Sequence, residues 1–386
     1  MILRNLEKVI QKDLERQKVL IILGARQTGK TTLLKKMFAD QSHILWLNGD
    51  EYDVQRMFDR ATSTQLRNII ANNHTVIIDE AQRIGNIGIG LKLVYDNYPE
   101  IQLIVTGSSS LELKNKFNEP LTGRKIEYSF FSLSFEELVN HHGLLEEKRN
   151  LEHRLIYGSY PAVIVDPYSA VNTLKWLTDS YLYKDILMLD NIKKPEKLIL
   201  LLQALAFQVG SEVSYSEIGN LIGLNNKSVE HYIQLLEKSF IVFRLHSLCR
   251  NARNELKMAK KIYFYDNGIR NAVINQFQPI ASRQDVGALF ENYLISERKK
   301  WLNLNQVYSN SYFWRTKEQQ EIDYIEEKNG QFSAFEFKWN PNKKVLFSKT
   351  FLRAYPDSTT HIIHRENYDD FLSYTNLTYK IVQTIL

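Results

Sequence analysis

The sequence predicts an α/β chain of more than one domain: a parallel-sheet core, a helical region containing a helix-turn-helix, and a smaller α/β unit. Three observations predict it. "ILGARQTGKTTLLKK" (22–36) places a glycine-rich loop between a β-branched run and a helical pattern, and "HTVIIDEAQRI" (74–84) is a second buried-strand run that ends in acids. "EIDYIEEKNGQFSAFEFK" (321–338) is a hairpin pattern centred on Asn329-Gly330, far from both. A length of 386 residues also exceeds what one ordinary hydrophobic core fills.

The bulk numbers bound the class. Apolar residues make up 44% and charged residues 24%, an ordinary balance for a folded chain and unlike a disordered one. A net charge of +5 is compatible with nucleic acid only where the charge is concentrated. The single cysteine, Cys249, excludes an internal disulfide framework, and "MILRNLEKVIQKDLERQ" is too charged for a secretory signal, so a cytoplasmic location is expected. The longest apolar stretch, Leu198 to Val209, is too short to span a bilayer and reads as a buried helix, so no membrane partner is expected.

Within the first stretch, Gly24, Gly29, Lys30 and Thr31 fit G-x-x-x-x-G-K-[ST]. "VLIIL" (19–23) suits a buried parallel strand, and Leu33, Leu34 and Phe38 have helical spacing, so the loop opens a helix. Such a loop turns backbone N–H groups toward phosphates, and the helix N-terminus adds its positive dipole end. The nucleotide-binding residues are therefore Gly24, Ala25, Arg26, Gln27, Thr28, Gly29, Lys30, Thr31 and Thr32. Lys30 should reach the β/γ-phosphates, and Thr31 should ligate Mg²⁺, which makes ATP and Mg²⁺ the expected cofactors.

Val76, Ile77 and Ile78 form a strand with Asp79 and Glu80 at its C-terminal edge, where ligands sit in α/β sheets. Asp79 would hold the metal's water shell against Thr31, and Glu80 would orient or deprotonate the attacking water. A further strand, "IQLIVTGSSS", ends in Thr106, Gly107 and Ser108, which suit either a γ-phosphate sensor or a serine-rich turn and helix cap.

Here the chain resembles the AAA-type ATPases of the additional-strand P-loop class. More closely, it resembles a prokaryotic family in which such a core precedes a C-terminal half of unknown function. The matching stretches are "GARQTGKTTLL", "VIIDEAQRI", "VTGSSSLEL", "LTGRKIEYSFFSLSFEEL" and "GSYPAVI", through roughly the first 165 residues. The resemblance implies that Arg124, just ahead of a fifth core strand, reaches the γ-phosphate of a neighbouring copy; a surface arginine beside a turn is the plainer alternative. A homo-oligomer is the corresponding partner.

From about Asn140 the strand pattern fades into helices broken at Gly158 and Pro161. Ser214 and Glu217 then form a capping-box pattern, Gly223 supplies a turn, and "KSVEHYIQLLEKS" makes a second amphipathic helix running into a strand. Two helices around a tight glycine turn are the helix-turn-helix signature, with a β-rich wing to follow. Its second helix would present Lys227, Ser228, His231, Gln234 and Lys238 to DNA, although Glu230 and Glu237 dilute the charge and winged helices also serve as protein joints.

In the C-terminal third, a two-residue type I′ turn at Asn329-Gly330 pairs residues whose numbers sum to 659. Asp323 then faces Glu336, and alternation puts Glu321, Asp323, Glu336 and Lys338 on one face and Ile322, Tyr324, Phe335 and Phe337 on the other. Two carboxylates directly opposite repel unless a metal ion or the Lys338 ammonium lies between them; a solvated charged face is the plain alternative. Asp323 and the Glu336-x-Lys338 pair also resemble the metal-dependent PD-(D/E)xK nuclease core, which implies Mg²⁺ on Asp323, Glu336 and Glu291, with Lys338 assisting a water. The usual proline before the aspartate is Ile322 here. The expected organisation is an ATPase core over 1–140, a helical linker over 141–194, a winged helix-turn-helix over 195–252 and a nuclease-like unit over 253–386.

Overall fold

A computed structural model of the chain describes residues 2–108, 117, 120–179, 194–249 and 260–372. The "SSLEL" after Ser108 and the end of "TLKWLTDSYLYKDIL" beyond Asp179 lie outside the described residues. The N-terminal part is built on five strands: β1 (Val19–Gly24), β2 (Ile44–Asn48), β3 (Thr75–Asp79), β4 (Gln102–Gly107) and β5 (Lys125–Phe130). They lie in the order β2-β3-β4-β1-β5, and each pairing is parallel. Every residue of β1 is buried, which is why its sequence runs apolar without alternation. Parallel pairing brings the C-terminal ends of β1, β3 and β4 to one edge, and the glycine loop, Asp79 and Thr106 arrive there together.

The C-terminal part is a second, mixed sheet of seven strands. These are β6 (Glu212–Val213), β7 (Val242–Ser247), β8 (Lys260–Phe264), β9 (Asn310–Arg315), β10 (Glu321–Lys328), β11 (Gln331–Lys338) and β12 (Thr359–His364), in the order β12-β11-β10-β9-β7-β8-β6. Helices Tyr215–Ile222 and Asn226–Lys238 meet around Gly223, which takes a left-handed conformation at φ 70° as the turn requires. The antiparallel pair β7–β8 follows them, and β7 also pairs in parallel with β9. The strands β7 and β8 that follow the two helices thus share one sheet with Glu321, Asp323 and Glu336. Half of the expected capping box forms: the Ser214 hydroxyl accepts the Glu217 N–H at 3.3 Å. The helix Val286–Leu304 crosses this sheet against β8 and β11.

Asn329 and Gly330 both have positive φ, at 53° and 81°, and β10 and β11 pair as Tyr324↔Phe335 through Lys328↔Gln331, the expected register. The expected alternation fails at one position. The β9–β10 register shifts between Ile322 and Ile325, so Ile322 packs with Trp314, Ile325, Ala334 and Phe351 instead of with Tyr324, Phe335 and Phe337. A bulge inserts one residue and turns the following side chains to the other face. Its consequence is local: the Asp323 carboxylate accepts the Phe337 N–H at 2.7 Å.

Gly24 ends β1 opposite Phe130, where a Cβ would stand 2.0 Å from the Phe130 carbonyl oxygen. Gly24→Ala should therefore force β1 and β5 apart and cost about 1–3 kcal/mol or more. The midpoint of urea unfolding measures this, and an unchanged midpoint would contradict the close approach.

Candidate functional site

The glycine loop leads into the helix Lys30–Met37, with Gly29 at φ 98° and Gln27 at φ 55°. Lys30 is buried, and its ammonium donates to the carbonyls of Gly24 and Ala25, each at 2.9 Å. The Thr28 hydroxyl donates to the same Ala25 carbonyl at 2.8 Å. Across the edge, the Thr31 hydroxyl donates to Asp79 Oδ2 at 2.7 Å, and the Thr106 hydroxyl donates to Asp79 Oδ1. Thr31 and Asp79 supply hard oxygen donors, the type Mg²⁺ takes.

Glu80 adopts a left-handed conformation at φ 49° and is half-buried. The Gln82 amide donates to its carboxylate and, at 2.9 Å, to the Ser108 hydroxyl, so the end of β4 reaches Glu80 through Gln82. Arg26 is half-buried, and Gln27 and Thr32 are exposed.

Sequence reasoning missed the residues that brace this loop. Arg4 donates to the Thr28 carbonyl at 2.7 Å, to the Phe131 carbonyl at 2.8 Å and to Glu137 at 3.0 Å, while its guanidinium lies 4.0 Å from the centre of the Phe130 ring. Glu137 is buried and caps the helix Phe135–His142 through a complete capping box with Ser134. That box, S-x-x-E in "SLSFEEL", was the available signal for Glu137; no local pattern marks Arg4.

Arg124 precedes β5, at the opposite end of the sheet from the glycine loop, and its guanidinium forms a two-pronged ion pair with Asp96 at 2.7 and 3.3 Å. Within its own chain it does not approach Lys30 or Glu80. On the second helix of the helix-turn-helix, Lys227 and His231 are exposed and Ser228, Gln234 and Lys238 are half-buried. Glu237 is bonded at 2.9 Å by Arg244 of β7, so the strand neutralises part of the helix's negative charge.

The C-terminal acids converge, with lysines among them. Lys338 donates to Asp323 at 3.1 Å and to Glu336 at 2.7 Å, so its ammonium fills the position between the two carboxylates. Glu291, on the helix Val286–Leu304, accepts from the Tyr263 hydroxyl at 2.5 Å and from Lys261 at 3.3 Å. Lys261 also pairs with Glu321 at 2.5 Å. Sequence reasoning missed Lys261 and Tyr263 because β8 joins this sheet only through tertiary pairing. Among the described residues no three His, Cys, Asp or Glu side chains stand as a metal-ligand group. Burial, reinforced by the Asp323 charge, pushes Glu336 up to about 7. Burial likewise raises Glu291 to about 7, with Lys261 opposing the rise. Burial works against the Lys261 ammonium, but Glu291 and Glu321 hold its pKa above the ordinary lysine range.

Comparison with known proteins places three family models along the chain. Residues 16–139 match an AAA domain, 148–279 a domain of unknown function (DUF8612) and 286–381 another (DUF4143). The first match supports an AAA-type P-loop ATPase core in the N-terminal third. An uncharacterized protein of Haemophilus influenzae is 26% identical over 297 residues, covering 70% of this chain and 72% of that protein. Another, of Methanocaldococcus jannaschii, is 22% identical and covers 92% of this chain and 85% of that one. Among solved structures, a Walker-type ATPase of Pyrococcus abyssi is similar at 14% identity and a TM-score of 0.49, covering 71% of this chain and 96% of that one. No helix among the described residues is long and apolar enough to cross a membrane.

The raised carboxyls set a pH dependence. Folded-state values near 7 against an ordinary 4.5 mean that the protonated acids favour the fold, so this stability is whole below about pH 4.5 and is lost as pH rises through about 7. Glu336→Gln should therefore melt higher than the parent at pH 8 and no higher at pH 5. Parallel melting curves that keep a constant gap would contradict the assignment.

Proposed function

We propose that the chain binds ATP with Mg²⁺ and hydrolyses it at the edge formed by β1, β3 and β4, and that it uses this cycle on DNA. The observation that carries the first part is the 2.7 Å bond between Thr31 and Asp79, which joins the glycine loop to the acidic strand end. Thr31 and Asp79 would hold the ion, which supplies charge neutralisation for the phosphates when bound. Lys30 would neutralise the β/γ-phosphate oxygens, and the loop's N–H groups would orient them. Glu80, aimed by Gln82, would take a proton from the attacking water, with Ser108 one bond behind. In a homo-oligomer, Arg124 would serve a neighbouring copy after leaving Asp96.

The DNA part rests on the two helices around Gly223 and the β7–β8 hairpin, which together suit a winged helix, with Lys227 and His231 on its exposed face. The C-terminal acids would then act as a phosphodiester site of PD-(D/E)xK type. A second reading has a specific observation in its favour. Lys338 already bridges Asp323 and Glu336, and Lys261 bridges Glu291 and Glu321, so the C-terminal sheet would also serve as a non-cleaving scaffold for an ATP-driven switch.

Lys30→Ala should lose nucleotide binding, whereas Glu80→Gln should bind ATP and turn over about 10²-fold more slowly, or less, because only the water-activating group is gone. Duplex DNA should stimulate the parent's turnover, and more weakly as salt rises. A Glu80→Gln chain as fast as the parent would remove Glu80 from the mechanism. Turnover indifferent to single-stranded, duplex and branched DNA would favour the switch reading.

A further inference from the structure

Phe240 follows the second helix of the helix-turn-helix and takes φ 58°; it is the only phenylalanine, tyrosine or tryptophan with positive φ among the described residues. The backbone explains the angle. The Ile241 N–H reaches the Leu236 carbonyl at 3.1 Å and the Phe240 N–H reaches the Glu237 carbonyl at 3.0 Å, a Schellman helix end in which Phe240 stands at the position that favours glycine. A bulky ring kept at a strained position asks for a reason in its surroundings.

The surroundings include one residue of the glycine loop, Ala25, which lines the same cavity. Phe240 packs against both the C-terminal core and the core around β1, β3 and β4. Its ring lies edge-on to Phe131 at 6.0 Å and tilted against Tyr265 at 6.1 Å. With Tyr160 and Ala25 these rings enclose a cavity of about 10 Å³, room for about one water. Ala25 is the second residue of the glycine loop, yet it is 3% exposed and belongs to the C-terminal core. Its carbonyl is the one that accepts from both Lys30 and Thr28.

We infer that Phe240 is a positioning residue through which the helix-turn-helix unit reads the phosphate loop. The inference rests on the nucleotide-binding reading above. A phosphate taken by the Lys30 ammonium competes with the Ala25 carbonyl for the same protons. The Ala25 peptide then shifts, and its methyl group moves within a cavity with room for no more than about one water, so the rings around it move in turn. Packed interiors transmit such a displacement instead of deforming. Phe240 receives it at a joint already away from its preferred backbone angle and passes it to the helix Asn226–Lys238, which carries Lys227 and His231.

Hydrogen exchange of the full chain with and without Mg-ADP tests this. In the parent, nucleotide should slow exchange over 24–31 and change it over 226–241 by at least about fivefold, the low end of site-to-site coupling. Phe240→Gly suits the left-handed position and removes only the ring; it should keep the response at 24–31 and lose the one at 226–241. Phe240→Tyr should restore it. Tyr265→Leu, which leaves the helix end untouched, should weaken the distant response in the same way. A merely structural Phe240 would leave the nucleotide-dependent change intact. A parent that responds at 24–31 alone, or a Phe240→Gly chain that responds like the parent, overturns the inference. No response at 24–31 in the parent sinks the nucleotide-binding reading as well, and is recognisable as that failure.

Discussion

Lys300 has no exposed surface, and its ammonium is held at 2.7 Å from Glu297, one helical turn away on Val286–Leu304. Two ions taken out of water cost several kcal/mol each unless every proton and lone pair finds a partner. Here they do. Lys300 also donates to the Ser132 hydroxyl at 3.0 Å and the Leu133 carbonyl at 3.2 Å, and Glu297 accepts the Phe135 N–H at 2.7 Å. Ser132, Leu133 and Phe135 belong to the segment that leaves β5. The ion pair is therefore satisfied only while the C-terminal helix sits against the end of the N-terminal sheet.

Around that constraint the rest is arranged in short steps. Phe135 starts the helix capped by Glu137, Glu137 holds Arg4, and Arg4 holds the Thr28 carbonyl in the glycine loop. In the other direction, Glu297 lies about 9 Å along its helix from Glu291, a distance set by the 1.5 Å rise per residue. Asp266 closes a parallel route: it caps the helix Asn267–Val273 and accepts from Ser132 and from the Ser159 N–H of "GSYP". The glycine-loop edge and the acid cluster are thus joined through one run of buried polar contacts and the helix Val286–Leu304.

The readable parts of the sequence were those whose chemistry is local. The glycine loop with its flanking strand and helix, the acids ending β3 and the Asn329-Gly330 register each depend on residues within about one element of each other. The unread parts depend on partners far along the chain. Arg4 looks like any surface arginine until β5 and Glu137 fold around it, 133 residues away. Lys261 joins the acid cluster only because β8 pairs with β7 and β7 with β9. The bulge at Ile322 upset the alternation on β10 because it arises from pairing with β9, while the hairpin with β11 keeps its register from Tyr324 to the turn; the expected pairs Asp323–Glu336 and Glu321–Lys338 lie beyond that ladder. Of the Ser214 pattern the hydroxyl half forms, and the same hydroxyl also bonds Ser216 at 2.9 Å.

If the Lys300–Glu297 pair joins the two halves, they unfold as one cooperative unit. Differential scanning calorimetry of the parent and of Lys300→Ala tests it most directly. The parent should unfold in one transition, with its calorimetric and van't Hoff enthalpies equal. Lys300→Ala leaves Glu297 buried without its counter-ion, a loss of about 3–5 kcal/mol, and should separate into two transitions. Two transitions in the parent, or an unshifted single transition in Lys300→Ala, would show that the pair does not join the halves.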